Sequence, residues 1–404
     1  MAARLPALTG LRFFLALWVI IFHQSFPWFG FSARGYLLDV PLVFPSAVSA
    51  VISTGYFAVG VFFVLSGFIL SYNYPLAGRW RLGQFGRYLG ARFARIYPVY
   101  GLGLFLIAPF ILYPYIKWHW LQGALKPALL NVGLVQTWIP YLATSWNFPG
   151  WSVSNEACFY CCFPWVGLLL WRLSIWRAVA AIFALWVLAM AAPVAATSIP
   201  LSVFDHSATP GRHLDSDAFW SMLVQYNPIL RLPEFCVGIV AGRIFNQLVA
   251  RNSWVLGRGI CIYGPALLFE VLAIAYGKTL PHLWLANGLF TPIHAMVIVG
   301  LALGNDPFVR VLSTAPMEFL GNASYAMYIL HVPTFLWLNY AAFKLFGANP
   351  GGIVSLTLYL LLVCGLSAIV YQYLERPANR VLRRWFSSGS SDRIVTTNLA
   401  VGRN

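Results

Sequence analysis

Residues 352–374 read GIVSLTLYLLLVCGLSAIVYQYL, a stretch without a single charged side chain. A run of about 20 apolar residues can cross the hydrocarbon core of a bilayer as a helix. The runs in this chain are continuously apolar rather than alternating, and a lipid-exposed sheet edge would leave backbone groups unpaired. We therefore predict an all-α polytopic membrane protein with about ten transmembrane helices, at 8–27, 51–73, 98–116, 152–171, 177–196, 228–248, 259–277, 283–303, 322–346 and 352–374.

Composition supports this class. The 404 residues are 60% hydrophobic and 9% charged, whereas soluble domains carry about 25% charged residues. A soluble enzyme would need more polar surface than these residues supply. A disordered chain would be poor in aromatic residues, which make up 17% here,. A nucleic-acid partner is not expected, because the chain offers little soluble surface on which basic residues could cluster.

The formal net charge of +15 is explained mainly by membrane topology. If the N-terminus is cytoplasmic, 18 basic residues fall on the inner side of the ten spans and 5 on the outer side. Loops rich in Lys and Arg remain inside, so we predict that both termini are cytoplasmic. Residues 1–376 form one predicted transmembrane domain, and residues 377–404 form a flexible cytoplasmic tail,.

The first predicted helix holds two ionisable residues, Arg12 and His23. An ionisable residue inside a span is costly, and it suggests a functional site. The two are 11 residues apart, which is about three helical turns, so both side chains lie on one face about 16 Å apart. The alternative is that Arg12 reaches the inner headgroups and His23 caps the helix at the outer interface.

A carboxylate interrupts the fourth span. Residues 151–160 read WSVSNEACFY and place Glu156 a full turn inside the helix that follows Pro149 and Gly150. By the topology count, Glu156 and His23 lie at similar depth. A carboxylate beside an imidazole can orient the ring and raise its basicity. The alternative for this segment is simple helix capping.

Two further groups carry candidate site residues. Ser324, Tyr328 and His331 are spaced i, i+4, i+7 and form one helical stripe, which could serve catalysis or hydrogen bonding between helices,. Arg92 and Arg95 lie in a predicted basic loop at 87–98. They could bind a phosphate-rich cytoplasmic ligand, or they could contact lipid headgroups and set topology.

Other polar groups are predicted to be structural. Arg231 and Glu234 are an i, i+3 pair and suggest an ion pair,. The six cysteines do not converge with histidines at ligand spacing, so we predict no metal site,. A solvated outer loop is the favoured reading for a group of acids and histidines, namely Asp205, His206, His213, Asp215 and Asp217.

Together these segments resemble the family-3 membrane acyltransferases, which include bacterial exopolysaccharide and O-antigen acetylases. Arg12 to His23 resembles the family's Arg-x10-His signature, and residues 63–68, with Ser66, resemble its Phe-x-x-Ser-Gly-Phe element. Residues 92–98, 151–160, 321–333 and 375–377 are similar to its other motifs. One position departs, because Ala157 stands where many members have a second glutamate.

The resemblance implies an O-acyltransferase of the bacterial inner membrane, without a C-terminal esterase-like domain. It would move an acyl group, usually acetyl, from cytoplasmic acyl-CoA to a sugar hydroxyl of an exopolysaccharide or other exported glycan. Acyl-CoA would be the donor substrate, and no tightly bound cofactor is expected. The competing hypothesis is a transporter or flippase of a glycan, lipid or acyl group, since buried charges would serve transport too.

The resemblance also suggests roles for the candidate residues. His23 would take the proton of the acceptor hydroxyl or carry the acyl group transiently, and Glu156 would orient it. Arg12 would lie along the route between donor and acceptor. The CoA phosphates would be held by Arg92 and Arg95, and the same cavity would be lined by Ser66, Tyr328 and His331.

Overall fold

The computed structural model describes residues 4–24, 46–74, 82–198, 216–276, 280–347 and 353–387. Within these ranges every regular element is helical, which confirms the all-α class. The helices are α1 (Pro6–Gln24), α2 (Ser46–Ser53), α3 (Phe57–Asn73), α4 (Leu82–Lys117), α5 (Gln122–Val132), α6 (Gly150–Arg172), α7 (Ile175–Ser198), α8 (Ser216–Tyr226), α9 (Pro228–Ala250), α10 (Ile260–Tyr276), α11 (His282–Ala286), α12 (Thr291–Leu303), α13 (Pro307–Leu312), α14 (Ala315–Phe346), α15 (Ile353–Val370) and α16 (Arg376–Ser387). A π-helical turn, Tyr371–Glu375, joins α15 to α16, and two 3₁₀ turns, Gln136–Trp138 and Pro140–Leu142, precede α6.

The predicted spans fall on these helices wherever the structure describes them. Within the described part of the chain, six helical segments are long and apolar enough to cross a membrane, namely Pro6–Gln24, Gly83–Lys117, Gly150–Arg172, Ile175–Ser198, His282–Leu303 and Ile353–Phe386. Shorter apolar helices occupy Phe57–Asn73 and Ile260–Ala275. The chain is a multi-pass membrane protein. The cytoplasmic placement of its termini stays a prediction.

The basic segment at 87–98 is not a loop, so that part of the sequence-based prediction is wrong. Helix α4 begins at Leu82 and continues through Pro98. A proline removes one backbone donor and disfavours helix in the residue before it. Within a membrane, however, breaking the helix would leave further backbone groups unpaired, so a proline is tolerated inside a helix. Arg92 and Arg95 are therefore held on a rigid element.

The predicted C-terminal tail begins as a helix. Helix α16 covers 376–387, and the remainder of the tail lies outside the described residues. The helix packs against α4. A Cβ atom on Gly90 would lie 2.4 Å from the Phe386 ring, so the small residue allows this ring to seat closely on α4. This contact brings α16 beside the basic segment of α4.

Glycines allow two helix pairs to approach closely. A Cβ on Gly67 would lie 2.0 Å from the Phe235 carbonyl oxygen, and a Cβ on Gly238 would lie 2.0 Å from the Val64 carbonyl oxygen. Real side chains cannot occupy such positions, so α3 and α9 pack backbone against backbone. Gly67, the glycine of the 63–68 motif, is therefore required for the close packing of α3 on α9.

Helices α1 and α14 form the second close pair. A Cβ on Gly321 would lie 1.9 Å from the Thr9 carbonyl oxygen, near the start of α1. Toward the other end of α1, His23 contacts His331 of α14. The two helices thus run in the same direction, and their packing joins the motifs at 12–23 and 321–333 into one site.

Candidate active site

Two buried histidines form a direct contact. Nδ1 of His23 lies 2.9 Å from Nε2 of His331, within hydrogen-bond distance,. The ring planes differ by 4° and the ring centroids are 5.0 Å apart, as expected for a hydrogen bond made edge to edge between rings of similar orientation. His23 is 7% exposed and His331 is 0% exposed. The packing of α1 on α14 therefore creates an enclosed imidazole pair.

The hydrogen bonds fix where the protons of this pair lie. Nδ1 of His331 is 2.7 Å from the Tyr328 carbonyl oxygen. A carbonyl oxygen only accepts, so Nδ1 of His331 carries a hydrogen. If both rings are neutral, Nε2 of His331 must accept a hydrogen bond from Nδ1 of His23. The lone pair of the His23 ring then lies on Nε2, which is the atom able to act as a base.

A cavity of about 600 Å³ begins one helical turn from this pair, at Tyr328. Its volume falls in the range of about 300–1,000 Å³ that small-molecule sites commonly have. We call it the arginine cavity, because six arginines and two glutamates line it, namely Arg12, Arg92, Arg95, Arg376, Arg380, Arg383, Glu156 and Glu375. The formal charge of its lining is therefore strongly positive.

The cavity unites most of the candidate site residues that the sequence indicates. Its lining includes Arg12, Ser66, Arg92, Arg95, Glu156 and Tyr328. The exceptions are His23 and His331, and His331 was expected in the lining. It lies three residues beyond Tyr328 and contacts His23 instead. The charged cavity and the histidine pair are thus two distinct parts of the site. Tyr328 connects them, because its side chain lines the cavity and its carbonyl oxygen contacts His331.

Glu156 has a different partner from the one expected. The sequence placed it beside His23, but its Oε1 accepts hydrogen bonds from Ser66, at 3.0 Å, and from Tyr160. Glu156 also attracts the Arg12 guanidinium electrostatically. Similar depth in the membrane does not fix the direction in which a side chain points, and α14 supplies the partner of His23. Glu156 therefore belongs to the arginine cavity.

Three tyrosines hold Arg92 in place. Its guanidinium donates to the Tyr74 hydroxyl over 3.0 Å. The guanidinium carbon also lies 5.4 Å from the ring centre of Tyr74, 5.9 Å from that of Tyr88 and 6.0 Å from that of Tyr160. Cation–π contacts of this kind stabilise a desolvated guanidinium. Nε of Arg92 is buried and makes no hydrogen bond to the described residues, so it retains capacity for an acceptor.

Sequence reasoning missed three of the cavity arginines. Arg376, Arg380 and Arg383 lie on α16 at i, i+4, i+7 and share one face,. In the sequence analysis they count only among the 18 basic residues that set the topology. Their helical spacing was the available signal, but it could not be used while 377–404 was predicted to be a flexible tail.

A second buried polar cluster lies apart from the cavity. Nε of Arg231 is 3.0 Å from Oε1 of Glu234, and both side chains are almost fully buried, which confirms the predicted ion pair. Nearby on the facing helices, Nε2 of His294 is 3.3 Å from Oε1 of Glu270. Sequence reasoning did not single out His294 or Glu270, although both are ionisable residues in apolar runs.

The structure describes no metal centre in the ranges given above. Within them, no group of three or more His, Cys, Asp or Glu residues could hold a metal ion. The outer-loop residues Asp205, His206, His213 and Asp215 lie outside the described residues.

Comparisons with known proteins identify the family to which the chain belongs. Residues 5–372 match the sequence pattern of the family-3 acyltransferases, which is described as an acyltransferase domain. The chain is similar to the acyltransferase MdmB of Streptomyces mycarofaciens, with 30% identity over 402 residues that cover 94% of this chain and 93% of the relative. It is also similar to the O-acetyltransferase OatA of Staphylococcus aureus, with 22% identity over 93% of this chain and 57% of the relative. No solved structure matches it. The family match covers the helices that carry the histidine pair and most of the arginine cavity, so this chain belongs to the family-3 membrane acyltransferases.

Proposed function

We propose that this acyltransferase moves an acetyl group from cytoplasmic acetyl-CoA to a sugar hydroxyl of an exported glycan in the bacterial inner membrane. One observation carries the proposal: an arginine-lined cavity ends at Tyr328, and the Tyr328 carbonyl holds the histidine that contacts His23. A similar protein named as an O-acetyltransferase supports acetyl as the group. Membership of an acyltransferase family favours acyl transfer over transport without chemistry.

The donor end of the site is the cluster of guanidinium groups. Arginine binds phosphate through paired hydrogen bonds and remains charged at any physiological pH. Arg92 and Arg95 lie on one face of α4, and Arg12 faces them from α1. Arg12 is repelled by both. A polyanionic ligand would relieve this repulsion, and acyl-CoA is such a ligand with an acyl group at its far end.

The acceptor end is the histidine pair. We assign Nε2 of His23 as the general base that takes the proton from the acceptor hydroxyl. The hydroxyl oxygen attacks the thioester carbonyl carbon, a C–O bond forms, the C–S bond breaks, and the departing thiolate takes up the proton. His331 acts as a positioning residue, because its Nε2 fixes the hydrogen on Nδ1 of His23.

Glu156 and Arg12 line the cavity between the donor end and the acceptor end. The Glu156 carboxylate offsets part of the positive charge, and hydrogen bonds from Ser66 and Tyr160 fix its position. Arg12 shares α1 with His23 and lies about 16 Å from it along the helix axis. We therefore assign Glu156 to holding Arg12 in the cavity rather than to orienting His23.

Mass spectrometry of surface polysaccharide tests the proposed reaction. A strain lacking the gene is complemented with wild-type protein, with His23→Asn, or with His119→Asn as a matched control at an exposed histidine remote from the site. Wild type and control should restore ester-linked acetyl groups, and His23→Asn should not, at equal protein levels in the membrane. A polymer that is identical with and without the gene would exclude a glycan acceptor.

A further inference from the structure

Helix α16 forms one wall of the arginine cavity. Arg376, Arg380 and Arg383 line the cavity and are also solvent-exposed, so they lie at its opening. The helix is anchored beside this opening, where Phe386 covers Gly90 of α4. On the same helix Arg384 is exposed and does not line the cavity. One face of α16 thus lines the cavity.

The charges at this opening oppose one another in the absence of a ligand. Arg383 is repelled by Arg92 and Arg95 of α4. Glu375 attracts Arg95 and Arg12, but it and Glu156 are the only carboxylates that line the cavity within the described residues. Six guanidinium groups against two carboxylates leave a formal excess of four positive charges. Such an excess favours a ligand with several negative charges.

Coenzyme A meets this requirement with two separate groups. Its 3′-phosphate is a monoester that carries about −1.5 to −2 at neutral pH, and its pyrophosphate adds further charge. Under the proposed function, the acyl end must reach Tyr328 and the histidine pair. Arg12 lies about three helical turns before His23 along α1, and the α16 arginines line the same cavity as Arg12. The nucleotide therefore occupies the opening.

We propose that α16 recognises the 3′-phosphate of coenzyme A and that Arg380 and Arg383 bind this phosphate. This inference rests on the proposed function. Arg92 and Arg95, which lie deeper, then contact the pyrophosphate. This division makes α16 a specificity determinant: it distinguishes acyl-CoA from thioesters that lack the 3′-phosphate. Removing its arginines weakens donor binding and leaves the chemistry at His23 intact.

The test compares two donors and three proteins in nanodiscs of neutral phosphatidylcholine, which removes anionic lipid as a competing source of phosphate. The proteins are wild type, the double variant Arg380→Ala/Arg383→Ala, and Arg384→Ala as the control on the same helix. Binding of CoA and of dephospho-CoA, which lacks only the 3′-phosphate, is measured by calorimetry. Thermal unfolding verifies that each variant is folded.

Wild type and Arg384→Ala should bind CoA more tightly than dephospho-CoA. The double variant should lose about 10–100-fold in CoA affinity, as expected for lost charge-assisted hydrogen bonds, and should bind dephospho-CoA as wild type does. The inference is overturned if the double variant weakens both ligands equally or neither. If wild type binds neither ligand, the proposed donor is wrong as well, and this outcome separates the two failures.

Discussion

The histidine pair gives the sharpest prediction, the replacement of His331 by alanine. The replacement removes the acceptor that lies 2.9 Å from Nδ1 of His23. The contact that fixes the hydrogen on Nδ1 is then lost, and the His23 ring can carry its hydrogen on Nε2, where it cannot accept the hydroxyl proton. A positioned general base contributes about 10²–10⁴ in rate, which corresponds to about 3–5 kcal/mol. We expect kcat to fall by most of this factor.

Stability should change less than activity does. The His331 side chain is fully buried, and its loss leaves the Nδ1–H group of His23 without its acceptor, at a cost of about 1–3 kcal/mol. KM for acetyl-CoA should remain near the wild-type value, because the arginines that bind the donor are untouched. His331→Gln should recover part of kcat, since its amide oxygen can reach the position of the lost Nε2.

The assay is the initial rate of CoA thiol release by purified protein in nanodiscs, with membrane glycan as acceptor. Tyr359→Phe is the matched control: it removes a 2.9 Å hydrogen bond to the His331 carbonyl oxygen and a hydrogen bond with Gln24, and it leaves both ring contacts of the histidine pair in place. It should lower stability by about 1 kcal/mol with little effect on kcat. Wild-type kcat in His331→Ala, or an equal loss in Tyr359→Phe, would refute the positioning role.

Three other variants probe the fold, each by thermal unfolding in detergent. Gly67→Ala should destabilise the protein by about 1–3 kcal/mol or more through overpacking, because the added Cβ meets backbone of α9; an unchanged Tm would mean that α3 and α9 are not in close contact. Glu234→Gln should cost about 3–5 kcal/mol, since it leaves Arg231 buried without its counter-charge,; a neutral effect would exclude the ion pair. Asp306→Ala should cost about 1 kcal/mol by removing the N-cap of α13,. Burial opposes ionisation of Asp306, but hydrogen bonds from Tyr263 and backbone amides outweigh it and hold its pKa below the usual value. The stabilisation that Asp306 provides is therefore present above its unfolded pKa and is lost as pH falls through its lower folded pKa. The stabilities of wild type and Asp306→Ala should converge in acid, and a stability difference that does not change with pH would contradict this.

Apolar runs were sufficient to locate the helices, because the length of a span is set by the thickness of the bilayer. Their ends were harder to predict. The third span was predicted to begin at residue 98, yet α4 begins at Leu82, since a membrane helix continues through a proline rather than expose its backbone,. The helix at 376–387 was missed because the last apolar run ends at residue 374 and 377–404 was predicted to be a flexible tail.

The candidate site, like the fold, was predictable from the sequence only in part. Residue types and spacing identified Arg12, His23 and His331 as unusual, because ionisable groups inside spans are costly. The contact between the two histidines joins positions 308 residues apart, and no local pattern encodes it. Depth in the membrane suggested Glu156 as the partner of His23, but depth does not specify which helix packs against which.

The most direct measurement is acceptor-dependent release of CoA from acetyl-CoA by wild-type protein and by His23→Asn in the same nanodiscs. Wild type should release thiol only when membrane glycan is present, and the variant should be slower by about 10²–10⁴-fold while it binds CoA with unchanged affinity. Equal rates in the two proteins would contradict the assignment of His23 as the base. Equal binding with no release by either protein would contradict acetyl transfer itself.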